Sequence, residues 1–243
     1  MRCISLLSLF FVSLGVFGKP VVLATHNLSP YGSYPVGMPI ELVANEQFRG
    51  FAVDRVRCAF NKMGQELTVL VVPWARAQRL AESSEVDGFF AGSQNNYRDS
   101  YAQRTAVIAE QKWKWYWLKS NPQNVNDLKS GARIGAFIGS NMSRWLEDNG
   151  YPIFNRPNTT KQLVLLLKKQ RLDIIIANNL VAEKLLNEME MMEEVDSSIV
   201  KDKPLYLFFT KRNLKERPEL VAQFNRQLEA CYLEETNGAH LLQ

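Results

Sequence analysis

The sequence has 243 residues, of which 46% are hydrophobic and 22% charged, and its formal net charge is +4. A chain of this length can build one large or two modest domains. Its basic residues are nearly balanced by acids and scattered rather than gathered into a stripe, which argues against a nucleic-acid-binding class.

Residues 1–18, MRCISLLSLFFVSLGVFG, carry one charge at Arg2, an apolar run from Ile4 to Phe17 and small residues before Lys19. This pattern predicts a secretory signal peptide, and the run is too short for an ordinary spanning helix. Cys3 lies ahead of the run, so no lipid-anchor site is expected after it. The exported chain would keep Cys58 and Cys231. An even count in an oxidising compartment fits a disulfide, with two buried thiols as the alternative.

Downstream, strands alternate with helices. Val21–Thr25 reads as a strand, Ala52–Met63 as a helix ending at Gly64, and Leu67–Val72 as a strand stopped by Pro73. Ala75–Glu82 reads as a helix, Gly88–Ala91 as a buried strand and Ile108–Lys119 as one long strand. The pattern then restarts with strand Arg133–Phe137, helix Ser140–Asn149, strand Ile153–Asn155, helix Thr159–Gln170, strand Asp173–Ala177 and helix Leu180–Met189. Leu205–Thr210 is a last strand and Glu216–Tyr232 a final helix. Interleaving of this kind predicts an α/β protein with mainly parallel sheets.

Two segments echo one another. EVDGFFAGS (85–93) and RLDIIIANN (171–179) each place an aspartate, Asp87 or Asp173, before a strand that releases polar residues at its C-terminal end. In open α/β sheets ligands bind outside such ends, so two facing edges would form a cleft. After the first edge comes Arg98, whose guanidinium can grip a carboxylate through two parallel hydrogen bonds. An ordinary surface pair with Asp99 is the competing reading. Trp113, Trp115 and Trp117 alternate with Lys112, Lys114 and Tyr116, which describes a strand with one apolar face packed in a core. Tyr31 and Tyr34 lie in a long loop rich in proline and glycine, a setting associated with function or mobility more than with packing.

GFAVD (50–54), PWARAQRL (73–80), EVDGFF (85–90), SQNNYRDSYA (93–102), RIGAFIGSNM (133–142) and QRLDIIIANN (170–179) follow an order and spacing that resembles the family 3 periplasmic solute-binding proteins, the amino-acid-type binders of bacterial uptake systems. The resemblance implies a two-lobed type II periplasmic binding protein fold. Lobe one would hold residues 19–110 and 206–243, lobe two residues 111–205, with hinge crossings near Ile108–Lys112 and Lys201–Leu205. Both cysteines then fall in lobe one, as a bridge requires. Arg98 matches the arginine that clamps a ligand carboxylate, and Ser93 or Gln94 the hydroxyl position before it. Trp74 matches an aromatic that covers the ligand, with Arg76 beside it, and Tyr31 lies in the matching loop after the first strand. Gly139, Ser140 and Asn141 match the turn opening a lobe-two helix. Asn178 stands where amino-acid binders carry an aspartate for the α-ammonium, and THNLSPYGSY (25–34) contains no acid either. A carboxylate without a free amine, or an amine held by carbonyls and aromatics, are both open.

Catalytic patterns are absent: there is no GxSxG, HExxH, P-loop or GxGxxG, and His26 and His240 belong to no metal-ligand cluster. The expectation is therefore a periplasmic, monomeric, non-enzymatic binder without a cofactor. It would capture a small carboxylate-bearing solute by lobe closure and present it to a membrane permease. A ligand-sensing partner of a membrane receptor, and less favourably a lyase or dehydratase on the same fold, are the alternatives.

Overall fold

The computed structural model describes residues 19–35 and 47–240, with side chains to residue 235. The segment read as a signal peptide lies outside the described residues. Two five-stranded sheets organise the chain. The first has β1 (Val21–Thr25) between parallel β2 (Leu67–Val71) and β3 (Gly88–Ser93). Antiparallel β10 (Leu205–Thr210) joins β3 to β4 (Ala102–Ala109). The second repeats the order with β6 (Ile134–Ala136) between parallel β7 (Ile153–Asn155) and β8 (Ile174–Asn178). Antiparallel β5 (Lys112–Leu118) follows β8, and β9 (Val195–Asp202) closes the sheet. The chain crosses between sheets twice, from Ala109 to Lys112 and from Asp202 to Leu205.

Helices cover each sheet because their apolar positions recur every three or four residues. On α1 (Phe51–Lys62) the buried residues are Ala52, Val53, Val56, Ala59 and Phe60. They pack with Phe90, Phe209 and Phe224 into the core of the first lobe. Phe224 belongs to α8 (Leu220–His240), which Cys58–Cys231 joins to α1 at a Cα separation of 6.2 Å. The second lobe buries Leu163 and Leu167 of α5 (Thr160–Lys168) with Ile175 of β8 and Ala182 of α6 (Asn179–Glu188). Among the described residues no helix is long and apolar enough to cross a membrane.

Each lobe pins its first strand with the echoed aspartate. Asp87 Oδ2 accepts from Val22 N at 2.8 Å, and Asp173 Oδ2 accepts from Arg133 N at 2.8 Å. Each aspartate therefore satisfies a backbone N–H at the strand next to its own. Gly88, which follows Asp87, lets β10 approach: a Cβ there would meet Phe208 O at 2.2 Å. Further along β3 the register to β10 slips past Ala91, which takes φ 62°. That bulge bends the strand and re-aims its C-terminal residues.

Several sequence expectations change. Ile108–Lys119 is not one strand. It breaks at Glu110–Gln111 so that β4 and β5 serve different sheets, a division that local apolarity does not record. The short helices α2 (Trp74–Glu82), α3 (Asn96–Tyr101), α4 (Asn141–Asp148) and α7 (Lys211–Glu216) complete the set, of which α3 and α7, like β9, went unread. The final helix starts at Leu220, since Arg217 already leaves helical geometry. Tyr31 and Tyr34 are buried, the first edge-on to Phe51 at 4.8 Å and the second tilted against Phe48 at 5.0 Å, so this stretch packs rather than waves. Tyr116 is buried as well, because helices cover both faces of the sheet around β5.

Candidate functional site

β3 and β8 end opposite one another, and their C-terminal residues meet between the lobes. α3 opens at Asn95, whose side chain accepts from Arg98 N at 2.7 Å. This capping geometry turns the Arg98 side chain back beneath β3. Arg98 is 2% exposed. Its guanidinium donates to Ser93 O and to Gln78 Oε1, the latter at 2.8 Å. Cζ lies 5.0 Å from the Trp74 ring centroid and 5.8 Å from that of Phe89, close enough for cation–π attraction.

No carboxylate neutralises Arg98 among the described residues. Asp99, its neighbour, accepts from Gln94 Nε2 at 2.5 Å and lies 4.0 Å from Arg104, so the surface-pair reading is overturned. The Nε of Arg98 is buried without any partner. Burial lowers its pKa to about 10, which leaves it a cation at neutral pH.

Arg98 lines a cavity of about 70 Å³ between the lobes, together with Trp74, Ser93, Ser140, Asn141 and Asn178. The volume is about half that of a roughly 150 Å³ cavity that admits benzene, room for a group about the size of a carboxylate head. Ser140 caps α4, with its Oγ accepting from Ser143 N at 3.1 Å. The free N–H groups of that first turn add positive potential.

Side chains from the two lobes also bond directly across this space. Asn141 Nδ2 donates to Ser93 Oγ at 2.7 Å, and Asn95 Nδ2 donates to Asn141 Oδ1 at 2.6 Å. Tyr31 Oη donates to Asn178 Oδ1 at 3.0 Å, while Asn178 Nδ2 donates to Gln111 Oε1. Asn178 also caps α6 through Val181 N at 3.4 Å. Its carbonyl oxygen is thus already engaged, and among the described residues no acid lines the cavity.

Of the residues expected at the site, Trp74, Ser93, Arg98, Ser140, Asn141 and Asn178 line this cavity. Tyr31 stands behind Asn178, outside the lining, where burial disfavours its ionisation and its hydroxyl bonds across to the second lobe. Gln94 faces an adjoining pocket. Arg76 and Gly139 are exposed and outside the lining, Arg76 on the solvent side of α2 and Gly139 at the turn before Ser140 with φ 67°.

Sequence reasoning missed His26, Gln111, Trp113 and Phe137 in the lining. Trp113 was read as core, and it is buried; its place just past a crossing, where the strand faces the other lobe, is what brings it to the cavity. The His26 ring sits 4.5 Å from that of Trp74. Burial, and then the Arg98 charge, push it from 6.5 down to about 3, so it faces the cavity neutral. Its Nδ1 is buried without a partner. Among the described residues no group of His, Cys, Asp and Glu is arranged to hold a metal ion.

No protein-family model matches the sequence, and no curated protein does. Solved structures do. A histidine kinase sensor domain with similarity to periplasmic binding proteins superposes with a TM-score of 0.77 at 15% identity, covering 92% of this chain and 94% of that one. The GluR0 ligand-binding core from Nostoc punctiforme in complex with L-glutamate gives 0.74 at 14% identity, over 90% and 96%. A substrate binding protein of an ABC uptake transporter from Streptococcus pneumoniae with bound histidine gives 0.73 at 16% identity, over 88% and 87%. The chain has the two-lobed periplasmic binding protein fold.

Proposed function

We propose that this protein is an extracytoplasmic solute-binding protein of the family 3 type, which captures a small carboxylate-bearing solute between its lobes without chemical turnover. The observation that carries the reading is Arg98: a buried cation, with no carboxylate among the described residues to balance it and an unused Nε donor, at the wall of an interlobe cavity. Isolated buried charge is strongly unfavourable, and a ligand carboxylate would supply the missing partner through a charge-assisted pair. Ser93 and the first turn of α4 supply further donors from both lobes, so an occupant would favour the arrangement in which the lobes meet.

Among the described residues that line the cavity there is no acid for an α-ammonium, and this supports a carboxylate without a free amine over a standard amino acid. Delivery to a membrane permease is the downstream role, consistent with the leader-like residues 1–18 and with the transporter protein among the similar structures. Partnership with a membrane receptor is the second reading, favoured by the likeness to a kinase sensor domain.

The test is a thermal-shift screen of residues 19–243 against amino acids, their N-blocked forms and simple carboxylates, repeated on Arg98→Ala. A ligand in hundredfold excess over Kd raises stability by about 2.7 kcal/mol. Carboxylates should shift the melt of the native chain, and Arg98→Ala should abolish the shift while the empty variant melts within a few degrees of native. Retention of the shift in Arg98→Ala would sink the reading.

A further inference from the structure

Beside the Arg98 cavity lies a second pocket of about 360 Å³, and Trp113 and Asn141 line both. It straddles the lobes on the side of α3 and α4, with Arg144, Lys201 and Lys203 around it. Each cation rests on an aromatic ring. Arg144 Cζ is 5.7 Å from the Tyr97 centroid in the other lobe, Lys201 Nζ is 5.0 Å from Trp145, and Lys203 Nζ is 5.6 Å from Trp113. None of the three forms a salt bridge among the described residues. The one acid in the lining is Asp148, at the exposed end of α4.

Three like charges in one concavity repel, and their field adds to that of Arg98. Burial, and then Lys201, Arg98 and Arg104, hold Lys203 below the usual lysine range. Lys203 Nζ donates to Gln94 O at 3.2 Å, which fixes its head group at the seam. An anion seated here would touch cations carried by the second lobe and by the crossing between β9 and β10 at once, and would relieve their repulsion.

We propose that this pocket is a second anion-binding subsite, taking a carboxylate or phosphate group held by Arg144, Lys201 and Lys203. Its anion has two sources: the far acid group of a solute whose first carboxylate sits on Arg98, or a separate small anion that braces the closed lobes. The first source rests on the Arg98 reading above; the second does not.

Calorimetric titration at constant ionic strength separates them. The probes are malonate, succinate, glutarate and adipate, the matched monocarboxylates, and inorganic phosphate, on the native chain, Arg98→Ala, Arg144→Ala and Lys201→Ala. If one solute spans both cavities, a dicarboxylate of suitable length binds about tenfold or more tightly than its monocarboxylate. That gain disappears in Arg144→Ala and Lys201→Ala, while monocarboxylate affinity stays as in the native chain. If the anion is separate, mono- and dicarboxylates bind alike, and phosphate binds the native chain and Arg98→Ala but not the other two variants. If neither a second carboxylate nor phosphate responds to Arg144→Ala or Lys201→Ala, the subsite is overturned, and the Arg98 reading stands or falls on whether Arg98→Ala loses the monocarboxylates.

Discussion

The two lobes share one strand order and differ in what they put at the end of the third parallel strand. In the first, β3 is bulged at Ala91 and hands over to α3, which delivers the buried cation Arg98. In the second, β8 runs straight into α6, and its last residue, Asn178, spends its amide on Tyr31, Gln111 and the helix cap. The frame, including an aspartate clamp in each lobe, is common to both; the buried charge just past a strand end belongs to the first. The two lobes thus differ in the residues released at these strand ends, and that asymmetry underlies the proposal of an anion without an ammonium.

The largest expected effect comes from the feature that only the first lobe has. Replacing both Cys58 and Cys231 by Ser removes a crosslink spanning a sequence separation of 173 residues. Such losses cost about 2–5 kcal/mol. For a chain of this size that lowers Tm by roughly 10 °C, and hydrogen exchange should show the increase in α1 and α8 ahead of the second sheet. An equal increase in both lobes would mean that they unfold as one unit.

Next come the paired clamps. Asp87→Ala and Asp173→Ala each orphan a backbone N–H, worth about 1–3 kcal/mol, and denaturant melts should place both losses in that range. The Arg133 guanidinium holds Asp173 below the usual carboxylate range. Its folded pKa is depressed, so its contribution is complete above the unfolded value of 3.8 and fades as pH falls through the folded one. The Asp173→Ala deficit should therefore shrink in acid. A deficit that grows there would contradict the clamp.

The smallest effect would erase the asymmetry itself. Asn178→Asp places a carboxylate opposite Arg98 and should raise affinity for free amino acids by about tenfold, read by calorimetry with amino acids and their N-blocked forms. No preference for the free amine would show that the cavity has no room to seat an ammonium at that position.

Much of this was legible in the chain. Apolar spacing located most strands and helices, because a face that packs must repeat with the period of its element. The echo around Asp87 and Asp173 marked both strand ends that bear the site, and Arg98 and Asn178 stand where that echo led. The break at Glu110–Gln111 was hidden from apolar spacing, since β4 and β5 are equally apolar and only their assignment to different sheets divides them; the family resemblance alone pointed to a crossing near Ile108–Lys112. Tyr31 was misread because loop composition says nothing of what lies against a loop.

The sequence by itself determined the alternation of elements, the fold class, the acid-free stretch 25–34 after the first strand and the presence of an arginine just beyond β3. Tertiary structure decided that this arginine is buried without an acid partner among the described residues, that Asn178 is already engaged, and that His26, Trp113 and a basic pocket border the same cavity. The physical reason is one of range. Periodicity and capping act within a few neighbouring residues, whereas desolvation and charge balance depend on which distant segments arrive at the same place.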